Sequence, residues 1–277
     1  MSLGPNTSGL SNSDYYAIGK GCLLFAELDA NGAPKDYRQL GNAPDFSTTI
    51  NQEDLEHRDA KSGTSEIDRT ITLSRDIGIS FTLEEINDEN VAMLLGGDQV
   101  VLTNPATAGI AAIDQILLAD VVLGRTYELR DGSGVRLYDI DSADLTLTDG
   151  TTPLVLGTDY TVNEIAGTFH LIEGSGYTAV ASIEATVVAN AGADDIDQVT
   201  ALTKASIVGA LKFLREDPET GDIQEWQYHK VKLSPNGDAA LITDNALISL
   251  PFTGTAQKNT AYSPASPTLT VSTPQGQ

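Results

Sequence analysis

The chain is poor in the residues that build most active sites. It holds one cysteine, Cys22, three histidines and one tryptophan among 277 residues. A lone cysteine excludes an internal disulfide framework and any cysteine-rich zinc site. His57, His170 and His229 are far apart, and Glu56-His57 lacks the second histidine that a zinc-protease helix requires. Basic residues are scarce: 16 Lys+Arg face 39 Asp+Glu, a formal charge of −23. Such a surface repels nucleic-acid phosphates and anionic headgroups, so neither a DNA-gripping nor a membrane-surface protein is expected. No apolar run approaches the roughly 20 residues of a membrane helix. The polar stretch Met1 to Tyr16 has no basic start and no apolar core, so no secretion signal is expected.

The chemistry-bearing patterns are equally thin. There is no Gly-x-Ser-x-Gly elbow, and Gly19-Lys20-Gly21 is too short to cradle a phosphate. Cys22 sits in an apolar strand segment, where it reads as a small buried hydrophobe. Asp139, Asp141 and Asp144 resemble the start of a calcium loop. However, Ala143 occupies a ligand position, and the turn glycine and distal glutamate are missing. No catalytic residue, cofactor or metal site is expected, and the chain reads as a non-enzyme.

What is present is β-structure. Gly21 to Leu28 is an apolar strand candidate, followed by a turn at Asn31-Gly32. Ile71, Leu73, Ile77, Ile79, Phe81 and Leu83 alternate with Thr, Ser and Asp, the period of a strand with one face buried. Arg75 and Gly78 interrupt that pattern and predict a bulge near them. Thr82-Leu83-Glu84-Glu85 fits a helix capping box, with Asn87 or Asp88 as an alternative cap. Ile86, Val91, Leu94 and Leu95 supply the predicted packing face of that helix, and Gly96-Gly97 ends it.

Residues 1–14 read as a flexible arm. Residues 258–277 read as a Pro/Ser/Thr-rich tail to which Pro264, Pro267 and Pro274 deny regular structure. Between them, 15–257 is one β-rich stretch whose middle, about 100–200, is a chain of short strands and turns. Thr158 to Val162 is expected to pair with Thr168 to Ile172, and Asp217 to Asp222 to turn a hairpin holding Trp226. Leu241-Ile242 and Ala246 to Phe252 close the globular part. From Leu137 to Thr203 there is no Lys or Arg but eleven Asp or Glu, so this middle section is acidic.

The segment Thr48 to Asp68 is the outlier. It reads as a long inter-strand loop of mostly charged or small residues, and loops of that length are usually functional or disordered. Acidic Glu53, Asp54, Glu56, Asp59, Glu66 and Asp68 mix with His57, Arg58, Lys61 and the adjacent Arg69. Two readings stand: a solvated loop, or a self-complementary arm whose mixed charge fixes register on a neighbouring copy.

An ordered set of fragments resembles the tail tube (major tail) proteins of long-tailed bacteriophages. It begins with Gly19-Lys20-Gly21, Leu40-Gly41-Asn42-Ala43-Pro44-Asp45-Phe46 and Asp54-Leu55-Glu56-His57. It continues with Phe81 to Ile86, Asn90 to Gly96, Gly157 to Val162, the Asp217 to Trp226 hairpin and Lys232 to Gly237. The resemblance spans about residues 15–257. It implies a mainly β fold, a sandwich or barrel of tail-tube type with one flanking helix and a long inter-strand loop. It also implies self-assembly into stacked six-membered rings, a virion tail location, and host cytoplasm during assembly. Thr48 to Asp68 would bridge rings, with the ten charged residues above as contacts, and the helix near Glu84 to Leu95 would pack outside a lumen-lining sheet. Implied partners are further copies of the chain, tape measure, tail terminator and tail tip proteins, and double-stranded DNA in passage, with no membrane. The alternative class is a β-sandwich adhesin or carbohydrate-binding module, which predicts aromatic platforms; Tyr and Trp here are few and scattered.

Overall fold

The computed structural model describes residues 19–58, 63, 65–109, 116–174, 180–216 and 223–273. The N-terminal arm 1–14, Asp59, Lys61 and the turn 217–222 lie outside the described residues. The chain is mainly β with one α-helix, and it divides into two compact units. One comprises 1–98 and 199–277, and the other, 99–198, is inserted in it.

The first unit opens with β1 (Gly21–Glu27), β2 (Arg38–Gln39), β3 (Asp45–Arg58), β4 (Ile67–Leu83) and α1 (Asp88–Leu95). The inserted unit carries β5 (Gln99–Leu102), β6 (Ile116–Val121), β7 (Thr126–Glu128), β8 (Leu145–Thr148), β9 (Tyr160–Asn163), β10 (Thr168–Leu171), β11 (Val180–Val187) and β12 (Ile196–Val199). The first unit then resumes with β13 (Ile207–Glu216), β14 (Ile223–Pro235), β15 (Leu250–Ala256) and β16 (Leu269–Ser272).

In the first unit the sheet order is β2-β1-β13-β14-β15-β4-β3, with β16 also paired to β14. Every pairing given for it is antiparallel. The sheet curls strongly. Phe46 of β3 lies 5.0 Å, centroid to centroid, from Phe213 of β13, four strands away in the order. The Thr48 hydroxyl meets the buried Tyr228 hydroxyl of β14 at 2.5 Å. Alternate residues of each strand point inward (Leu23 and Phe25, Ile79, Phe81 and Leu83, Leu250 and Phe252) and form one apolar cluster with Tyr228 and Val231. Phe81 and Phe252, directly opposed in register, stack at 5.2 Å. Burying each such ring stabilises the fold by about 2–3 kcal/mol. No strand pairing closes the curl into a barrel among the described residues.

The helix starts later than the capping box predicts. Thr82 and Leu83 remain in β4, and Asn87 is the cap, its side chain accepting from the Asn90 N–H. Gly96 adopts the left-handed C-cap conformation at φ 58°. Beyond it, a Cβ on Gly97 would collide with the Thr200 carbonyl, so only glycine fits that approach. The packing face also differs from the predicted one. Asn90, Ala92 and Met93 are buried and Leu94 is partly so, whereas Ile86 and Leu95 are exposed and Val91 is intermediate. Of the predicted set Leu94 packs against the core, and a polar residue supplies contacts the apolar pattern did not mark: Asn90 Nδ2 donates to the Leu40 and Glu85 carbonyls, and its Oδ1 accepts from Arg38.

The tail is a second correction. Residues 269–272 form β16, which pairs with Glu225 to Tyr228 along the part of β14 that β15 does not reach. Pro264 and Pro267 precede the strand, Pro274 lies outside the described residues, and a vacant edge supplied by another part of the chain creates it. Leu241 and Ile242, expected to close the globular part, are exposed at 78% and 95%.

The inserted unit holds two three-stranded sheets, β7-β10-β9 and β6-β11-β8, and the ribbon β12-β5. It has its own core, including Leu129, Leu137, Leu147, Phe169, Leu171 and Ile183. The expected hairpin is present, with Val162 opposite Phe169 and Asn163 opposite Thr168. Its aspartates hold turns: Asp131 accepts from Ser133 and Val135 N–H groups, Asp141 from Ala143, and Asp149 from Thr151 and Thr152. Those amides hold the Asp149 carboxyl below the ordinary aspartate range.

Candidate functional site

The segment predicted as a loop is chiefly strand. β3 runs without a break to Arg58, β4 begins at Ile67, and their pairing extends from Asp45↔Thr82 to Arg58↔Ile67. Only Ile77 to Leu83 of β4 pairs with β15, so residues 67–76 and their β3 partners leave the sheet as a two-stranded ribbon. At 3.3 Å per residue the free part of β4 is about 33 Å long. Every described residue of Thr49–Arg58 and Glu66–Asp76 is exposed. A two-stranded hairpin with both faces in water is marginally stable by itself.

The predicted contact residues fall on this ribbon as follows. Glu53, Asp54, Glu56, His57 and Arg58 are on β3, Asp68 and Arg69 are on β4, Glu66 immediately precedes β4, and Asp59 and Lys61 lie outside the described residues. The structure brings several together. His57 Nδ1 lies 2.5 Å from Asp68, and Arg58 pairs with Glu56 at 3.2 Å. Gln52 donates to both Asp54 oxygens and Ser74 donates to Glu53. The Gln52 amide and Thr72 hydroxyl hold the Asp54 carboxyl below its usual range. Arg69 makes no ion pair among the described residues.

The register shifts between Glu53↔Ser74 and Asp54↔Thr72, so β4 contributes one extra residue there, Leu73. The interruption sits beyond Arg75, nearer the tip than the Arg75–Gly78 region where it was expected. A bulge of this kind reverses which face subsequent residues occupy. Gln52, Asp54 and Thr72 share one face, as their hydrogen bonds require, and Leu55 opposite Ile71 therefore occupies the other. The alternation predicted one buried face through Ile71 and Leu73. Instead Ile71 is 39% and Leu73 57% exposed, with Ile50, Leu55 and Ile67 also open to water. These aliphatic residues are the part of the site that charge-based reading missed. The available signal was that the partner segment Gln52 to Arg58 holds a single apolar residue, so nothing could cover them from across the ribbon.

Elsewhere the polar candidates contact neighbouring strands. His170 Nδ1 bonds the Thr126 hydroxyl, His229 is buried against the tail, and Cys22 pairs with Leu214 between β1 and β13. Among the described residues no group of three or more His, Cys, Asp or Glu is arranged to hold a metal ion. No described helix is long and apolar enough to cross a membrane. A shallow recess of about 370 Å³ beside Gly21, Cys22, Asn42 and Glu85 presents no nucleophile paired with a base.

The chain belongs to the family described as "Protein of unknown function UCP028589", whose model matches residues 16–267. Comparison with curated proteins gives no match.

Proposed function

We propose that this protein is a structural subunit of a bacteriophage tail tube, without enzymatic activity, that assembles through stacked six-membered rings into a hollow conduit. The observation that carries the reading is the ribbon of β3 and β4, which exposes Leu55, Ile67, Ile71 and Leu73 amid mixed charge. Such a patch is costly in an isolated subunit and useful where a second copy covers it. The outer edge of β3, unpaired among the described residues, adds backbone groups suited to a neighbouring chain. The ordered resemblance to tail tube proteins over residues 15–257 supports the same reading.

The acidity has a use in this role. A conduit lined with Lys and Arg would bind DNA phosphates, whereas an acidic lining keeps passage non-adhesive. Partners would be further copies of the chain, then the tape measure, terminator and tip components of the tail, and the location would be the virion.

Electron microscopy of the purified full chain across concentration and salt, with light scattering, tests the proposal. Rings or hollow tubes of uniform diameter are expected. Monomers that stay monomeric even when offered a tail-tip complex would overturn it.

A further inference from the structure

We infer that the β14–β15 connection, Asn236 to Ser249, is the surface that receives the ribbon of the next copy in the stack. This rests on the tube reading and names the partner of its contact arm. Leu241, Ile242 and Leu247 are exposed at 78%, 95% and 71%, three of the five most exposed large aliphatic side chains among the described residues. Asp238 and Asp244 flank Leu241 and Ile242, Leu247 follows three residues after Asp244, and from Leu233 to Gln257 the sequence has no Lys or Arg.

The ribbon is complementary in both respects. It offers Leu55 opposite Ile71 in register, with Arg69 two residues away on the same strand and free of ion pairs among the described residues. An aliphatic patch with a cation outside any ion pair among the described residues thus meets an aliphatic patch edged by Asp238 and by Asp244, which accepts from the neighbouring Asn245 amide and makes no ion pair among those residues. Apolar contact supplies the attraction, and the charges fix orientation while the acids reject contacts between two such loops.

Topology places the two patches at opposite ends of one strand. The ribbon continues β4 beyond Ile77, whereas the connection enters β15 at Leu250, opposite Leu83 at the far end of β4. A contact between the two ends of a subunit is heterologous. When its rotation does not close, it repeats copy upon copy into an open stack.

Two full-length proteins carrying Cys22→Ser provide the test, one with Leu55→Cys and the other with Ile242→Cys. Under oxidising conditions the mixture is expected to give a disulfide-linked dimer when assembled, while each protein alone gives little. A second arm uses Leu241→Ser with Ile242→Ser, both at exposed positions. The melting temperature should stay unchanged while the concentration threshold for tubes rises about tenfold or more. Tubes without the mixed disulfide, or a doubly substituted chain assembling at the wild-type threshold, would overturn this contact and leave the tube reading intact. Absence of any assembly by the wild-type chain would overturn both.

Discussion

Asn90 and His229 are buried polar residues with opposite degrees of satisfaction. Asn90 is fully buried, and its amide joins three separate pieces of chain: the Leu40 carbonyl after β2, the Glu85 carbonyl before the helix, and the Arg38 guanidinium. Asn90→Ala would leave those groups without this partner, and an unsatisfied buried group costs about 1–3 kcal/mol. A loss of about 2–4 kcal/mol in denaturant unfolding is the expected outcome, larger than for Val91→Ala on the half-exposed side. His229 is 3% exposed; its Nε2 meets the Thr270 hydroxyl at 2.8 Å, and its Nδ1 is buried without a hydrogen-bond partner among the described residues. Burial pushes its pKa below the ordinary 6.5. The unfolded chain therefore takes up this proton at a higher pH than the folded one. The resulting stability is complete above pH 6.5 and is lost as pH falls toward the lowered folded value. Thermal melts of wild type and His229→Gln across that window should show a steeper acid-side decline for the wild type. Equal slopes would contradict the assignment.

At the scale of elements, the ribbon and the strand β16 show how edges are used. β14 has β13 along one side, and β15 and β16 share its other side, so the last strand of the described chain covers an edge that would otherwise be open. Among the described residues the ribbon has no such cover, since β4 between Ile67 and Asp76 pairs there only with β3. Its internal hydrogen bonds and ion pairs are exposed ones, each worth a few tenths to about 1 kcal/mol. Replacing residues 52–75 by Asn-Gly, to join Asn51 to Asp76 through a tight turn, removes the projecting part at a paired position. The shortened chain should retain its melting temperature within a few degrees while failing to form tubes. Tubes of normal length from it, seen in the microscope, would show that the ribbon is dispensable.

For the whole molecule, the charge of −23 is the dominant long-range term. Part of it has a local origin, since Asp131, Asp141 and Asp149 each accept backbone N–H groups in turns of the inserted unit. Their charge persists whatever their local duty, and copies brought together repel. Added salt screens this repulsion beyond a Debye length of about 8–10 Å near physiological ionic strength. Assembly followed by light scattering should therefore begin at lower protein concentration as salt increases. The same salt weakens an arginine–carboxylate contact, so slower or unchanged assembly would mean that specific attraction outweighs global repulsion.

The sequence by itself determined the local choices. Alternation marked Ile79, Phe81 and Leu83 as core, the Val162–Phe169 hairpin was readable from its flanking turn, and Gly96-Gly97 marked the end of the helix. These depend on interactions within a few residues, which a linear pattern records. The tertiary structure decided what each segment met. The charged stretch Gln52 to Arg58 is a strand because β4 lies beside it, and β16 exists because β14 has a free edge. The helix buries Asn90 because distant carbonyl groups converge on it, while Ile71 and Leu73 are exposed because β4 outruns its neighbour β15. Strand pairing and burial are non-local: the atoms that satisfy a backbone group or cover a side chain come from elsewhere in the chain, and only the fold specifies which.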